Sequence, residues 1–224
     1  MRLLALAAAL SLAACDASAP AIDAPAPRAS ARYVVTFDAT WSAATHPEAF
    51  PPSPHFSPLT GAAHADGVAL WTAGEIASDG VRRMAETGAT DVLRAEVEAL
   101  GARAAPVEGG HVGTSPGTAT VNVTVTDDRP LVTVVTMLAP SPDWFVGVSG
   151  LDLRVPRSAG GDGWAERVVL ELRVYDAGTD DGTSYTAPNA PRTARAPITP
   201  ASYAPLAGTV VGTLTVERVP DAGN

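Results

Sequence analysis

Lysine is missing altogether, and all 15 basic residues of this chain are arginine. Beside abundant alanine, glycine and proline, that absence reads as the coding habit of a GC-rich bacterial genome and carries no functional weight. Cysteine is nearly missing too, with Cys15 standing alone. A disulfide framework is therefore excluded, and the folded part must rely on its core. Positive charge is scarce, with 24 acidic residues against those 15 arginines and a formal charge of -9. With no arginine run interleaved with aromatics, nucleic acid is excluded as a partner. Long apolar runs are also lacking. The longest, residues 3–14, is too short to span a bilayer as a mature helix, and no later stretch approaches it.

What is present at the N-terminus has a different logic. Arg2 followed by that apolar run reads as a signal peptide over residues 1–14. Its end, Leu12-Ala13-Ala14-Cys15, resembles the lipobox of bacterial lipoproteins, which implies that Cys15 is lipidated and anchors the chain to a membrane. Residues 16–30, rich in Ala, Pro and Ser and without periodicity, read as a tether between anchor and domain. The localisation that follows is the cell envelope, lipid-anchored and extracytoplasmic, either periplasmic or surface-exposed.

From Arg32 the pattern turns to period-two alternation. Tyr33, Val35 and Phe37 share one face of a strand, as do Val121, Val123 and Val125, and as do Val168, Leu170, Leu172 and Val174. The dense run from Leu131 to Leu138 fits a strand covered on both faces, and residues 209–217 give a last alternating strand. Two helices interrupt the strands. Ser78 caps one that carries Val81, Met84 and Ala85, and Thr90 or Asp91 caps one that carries Leu93, Val97 and Leu100 before Gly101. Segments 39–63, 104–118 and 176–206 read as long loops. The length and composition suit one domain, and the fold class is mostly β: an antiparallel β-sandwich of jelly-roll or Greek-key type with a short helical insertion.

Candidate chemistry is sparse. Gly113-Thr114-Ser115-Pro116-Gly117 matches the G-x-S-x-G pattern of a serine hydrolase, but His46, His55, His64 and His111 all precede Ser115, and no helix pattern follows it. The interval of nine between the first three histidines fits no short zinc chelate. The four tryptophans read as core packing. The loop Asp176-Ala177-Gly178-Thr179-Asp180-Asp181-Gly182 presents carboxylates around two glycines. By spacing it is a solvated Asp-Gly turn or a hard-cation site, and it lacks the EF-hand pattern. Asp143, in Ser141-Pro142-Asp143-Trp144, reads by itself as a turn residue.

Three stretches in order, Trp41 to His64, Ala139 to Leu153 and Tyr175 to Pro191, together with the helical segment from Gly74 to Leu100, resemble the spondin domain, the N-terminal domain of the F-spondin and mindin family. The resemblance covers residues 31–218 and leaves 219–224 as a tail. It implies a β-sandwich related to calcium-dependent lipid-binding domains, a non-enzymatic role in adhesion or ligand binding, and one Ca2+ held by Asp143, Asp176 and Asp180 with carbonyls and water. It also implies an unknown protein or glycan as partner. A structural envelope lipoprotein whose calcium serves stability alone is the alternative expectation.

Overall fold

In the computed structural model, residues 30–157 and 163–220 are described. The signal peptide, Cys15 and the tether up to residue 29 lie outside them. Among the described residues the strands, in chain order, are β1 (Ala31–Ala39), β2 (His55–Phe56), β3 (Thr60–His64), β4 (Ala104–Glu108), β5 (Gly117–Val125), β6 (Leu131–Ala139), β7 (Trp144–Asp152), β8 (Arg167–Leu172), β9 (Tyr175–Asp176), β10 (Thr199–Pro200) and β11 (Gly212–Arg218). Helices α1 (Asp79–Thr87) and α2 (Asp91–Glu98) lie between β3 and β4.

The strands form two antiparallel sheets, a smaller one in the order β5-β1-β11-β8 and a larger one in the order β10-β9-β7-β6-β3-β4, with β2 added beside β6. The alternation in β1 places Tyr33, Val35 and Phe37 inward, with Arg32 and Asp38 exposed. Val121, Val123 and Val125 of β5 and Leu214 and Val216 of β11 join them. Val132, Val134, Leu138 and Val146 of the larger sheet complete the same core. This face-to-face packing of two inner surfaces is a β-sandwich.

The outer face of the larger sheet is covered as well. Val81, Met84 and Ala85 of α1 and Leu93 of α2 pack on Val135, Met137 and Phe145, which explains why every residue of β6 after Leu131 is buried. Ser78 caps α1 as expected, accepting the Val81 amide at 3.1 Å. Its hydroxyl donates in turn to Glu96 of α2 at 2.7 Å, and the other Glu96 oxygen accepts the Gly80 amide at 2.8 Å. A carboxylate from the second helix thus caps the first, where the helix dipole favours negative charge. Gly80 permits the approach, because a Cβ there would lie 2.5 Å from the Leu93 Cα. Ser78→Ala is expected to lower stability by about 1–2 kcal/mol, measured by chemical denaturation.

Four expectations need correction. Segment 39–63 carries β2 and most of β3, segment 104–118 carries β4 and the start of β5, and segment 176–206 carries the end of β9 and all of β10. Strands β2, β9 and β10 have two residues each, β3 is buried at every position, and β4, Ala104-Ala105-Pro106-Val107-Glu108, alternates in burial but not in residue type. Val174 lies beyond β8, although buried, because the chain there crosses from the smaller sheet to the larger one at β9.

Candidate functional site

Asp143 enters the structure from a tight turn. The Ser141 hydroxyl donates to the Leu138 carbonyl and accepts the Trp144 amide at 3.1 Å, which fixes Asp143 just before β7. Register then brings the acidic loop alongside, since Trp144 pairs with Asp176 and the Ala177 amide donates to the Asp143 carbonyl at 3.1 Å.

Asp143 has no exposed surface. Its Oδ2 accepts the Thr179 amide at 2.7 Å, the Asp180 amide at 3.1 Å and the Thr179 hydroxyl at 3.2 Å. Its Oδ1 is buried and has no partner. Burial, reinforced by the negative charge of Asp176, pushes the Asp143 carboxyl up to about 6 against the opposing pull of those hydrogen bonds.

The other two aspartates shape the loop that meets it. Asp176, half-buried, accepts the Gly178 amide on Oδ1 at 2.8 Å. Gly178 sits at φ 73, and a Cβ there would fall 2.2 Å from the Ala196 carbonyl, so the turn requires glycine. Asp180 is buried, with one carboxylate oxygen accepting the Gly182 amide at 2.7 Å and the other the Ala190 amide at 2.8 Å. Its carbonyl accepts from Arg192 Nε, and Asp181 turns outward to pair with the same guanidinium at 3.0 Å. Underneath, Tyr203 stacks on Trp144 at 5.1 Å between ring centres, and Tyr185 meets Trp144, Tyr203 and Trp41. Long loops lacking regular hydrogen-bond ladders are thereby held by rings and buried carboxylates. Thr179 and Arg192, which the sequence did not single out, are part of this arrangement; a Thr flanked by the loop's acidic residues was the available signal.

Asp143 and Asp176 are therefore brought together, with Asp180 joined to Asp143 through its amide. Among the described residues no three side chains of His, Cys, Asp or Glu are placed to hold a metal ion by themselves. The donor set still fits a hard cation. A desolvated carboxylate with one unpartnered oxygen beside a second carboxylate is a buried negative charge that the three hydrogen bonds to Oδ2 compensate only in part. Calcium accepts such oxygens and completes its shell with carbonyls and water.

The remaining motifs have local roles. Ser115 is buried and its hydroxyl donates to the Trp41 carbonyl at 2.6 Å. His46 hydrogen-bonds Thr45 and Thr209, and buried His64 hydrogen-bonds Thr133 and the Ala65 carbonyl. His55 bonds the carbonyl of Ser53 within its own turn. All four tryptophans are buried.

Two antiparallel sheets with helices over one outer face and an acidic, aromatic-backed loop pair define a β-sandwich with a helical insertion. The profile of the Spondin_N family matches residues 31–205, and the chain belongs to that family. It is 37% identical to Spondin-2 of Homo sapiens over 169 residues, covering 72% of this chain and 50% of that protein. It is 33% identical to Spondin-1 of Gallus gallus over 226 residues, covering 87% of this chain and 26% of that protein. The chain thus spans half or less of the length of these relatives.

Proposed function

We propose that this protein is a non-enzymatic, calcium-binding module of the cell envelope, held to a membrane by lipid on Cys15, that binds a protein or glycan ligand through the loops around Asp143 and Asp176. The observation that carries the calcium assignment is the buried Asp143 carboxylate, with its unpartnered Oδ1 and the second carboxylate of Asp176 beside it. Asp143 and Asp176 supply oxygens to the ion. Asp180, whose oxygens each keep a free lone pair after accepting one amide, supplies another and holds the loop in place. Bound calcium supplies the positive charge that these carboxylates lack in the protein alone.

The full burial of Asp143 also favours a second reading, in which the ion is held permanently and serves stability alone. Isothermal titration of the metal-free full chain with calcium tests the site: one binding event is expected, lost in Asp143→Asn and weakened in Asp176→Asn. A titration without heat at any temperature, on protein shown to be free of metal, would overturn it. Attachment of the chain to immobilised glycans or proteins in calcium and in chelator, below the unfolding temperature of both forms, separates the two readings. Attachment that follows calcium supports the binding module, and attachment indifferent to it supports the stabilising ion.

A further inference from the structure

The two sheets part along one side. Strand β8 is the last of the smaller sheet and, among the described residues, pairs only with β11. On the same side, β9 covers only Trp144 and Phe145 of β7, so the rest of that strand presents an open edge among the described residues. Between these edges lies a cavity of about 620 Å³, floored by Val148, Leu151 and Leu170 and rimmed by Glu171 and Arg173.

The backbone of β8 is oriented for use there. The Arg218 amide donates to the Glu166 carbonyl and the Val211 amide to the Leu172 carbonyl, so even-numbered positions turn their backbone toward β11. By the alternation of an antiparallel ladder, the N–H and C=O groups of Arg167, Val169 and Glu171 turn toward the open side. Val169 is 47% exposed, an uncommon position for a large hydrophobic side chain. A further donor waits in the cleft wall: Trp71 is only 7% exposed, lines the cavity, and has no acceptor for its indole N–H.

We propose that this cleft binds an extended polypeptide segment, which adds to β8 as a fifth strand of the smaller sheet and offers a carbonyl to the Trp71 indole. A row of backbone donors and acceptors spaced along a strand is matched by another strand. A sugar would need an open aromatic face, and Trp71 is closed in by Phe145 at 5.1 Å and Tyr175 at 4.8 Å. The Glu171–Arg173 pair, 3.1 Å apart and more than half exposed, gives the rim both signs of charge and so suits a peptide of mixed charge. The site adjoins the acidic loops through Tyr175 of β9, but its backbone donors on β8 and the Trp71 indole are distinct from the residues assigned to calcium.

The test uses a phage-displayed library of random peptides of roughly twelve residues, selected on the full chain, with the selected peptides then synthesised. Val169→Pro is the decisive variant, since it deletes one outward N–H while proline on an edge strand leaves the β11 ladder intact. Selected peptides should alternate apolar and polar residues and bind Val169→Pro at least about tenfold more weakly, Trp71→Phe severalfold more weakly, and Val169→Thr within about twofold of wild type. Should Val169→Pro fail to fold, amide exchange in the wild type decides: the Val169 and Glu171 amides must slow when peptide is added. Peptides that bind Val169→Pro as well as wild type, unchanged exchange at those amides, a library that yields no binder, or glycan binding lost with Trp71→Phe would each overturn the proposal.

Discussion

Saturating calcium raises the unfolding midpoint of the metal-free full chain by roughly 5–10 °C, and Asp143→Asn abolishes the rise. An ion that binds only the folded state adds about 2.7 kcal/mol at a hundred times its dissociation constant, and each kcal/mol moves the midpoint of a domain this size by about 2–4 °C. The three aspartates should respond differently because their oxygens are engaged differently. Asp143 keeps an unpartnered oxygen, so its amide variant loses calcium binding while Thr179 and Asp180 can still donate to the remaining oxygen. Asp180 accepts an amide on each oxygen, so Asp180→Asn forfeits one of those bonds and lowers stability in chelator as well as in calcium by about 1–3 kcal/mol. Differential scanning calorimetry of wild type and the variants, each in calcium and in chelator, separates these patterns. A rise that persists unchanged in Asp143→Asn would place the ion elsewhere.

Strands whose two faces meet different surroundings were legible in the sequence. In β1 and β5 one face enters the core and the other meets solvent, and the residue pattern reports this directly. Both helices were legible from their apolar spacing, since α1 and α2 lie on the sheet with one side only, but only the Ser78 cap of α1 forms; at α2 the Thr90 side chain makes no capping hydrogen bond and the helix ends at Glu98, short of Leu100. The residues Thr60-Gly61-Ala62-Ala63-His64 of β3 gave no such signal, because the strand is covered on both faces between β4 and β6 and its small residues make room for neighbours. At Gly61 a Cβ would fall 1.9 Å from the Thr133 carbonyl, a demand set by a strand some seventy residues away and invisible locally.

The site shows the same division. Carboxylates around glycines marked the acidic loop, and the family resemblance singled out Asp143. That Asp143 is wholly buried, that Asp180 spends its oxygens on its own loop and that Asp181 leaves the site to pair with Arg192 are consequences of how 139–144 and 176–192 fold against each other. No spacing rule contains that arrangement.

Relative to Asp143→Asn, the metal-free wild type should also gain stability as pH falls from 7.5 to 5, opposite in sign to His46 and His64, whose burial holds their pKa values down and which lose stability over that range in both proteins. In the folded state burial and the Asp176 charge push the Asp143 carboxyl up to about 6, whereas in the unfolded chain it has its ordinary value near 3.9. Between those values the folded state binds the extra proton. Stability contributed by this group is therefore highest below the unfolded value and declines as pH rises through about 6. The full difference corresponds to roughly 3 kcal/mol, of which about 1.4 kcal/mol, or about 3–6 °C in midpoint, falls between pH 7.5 and 5. Above pH 7 in chelator, Asp143→Asn should match or exceed wild type, because the amide removes a buried charge while keeping an acceptor for Thr179. Calcium reverses the order, since the ion stabilises the ionised carboxylate and a proton competes with it. Thermal melts at half-unit pH steps in chelator and in calcium check both signs. A wild-type curve in chelator that falls steadily from pH 7.5 to 5, parallel to that of Asp143→Asn, would show that the buried carboxylate carries no such cost.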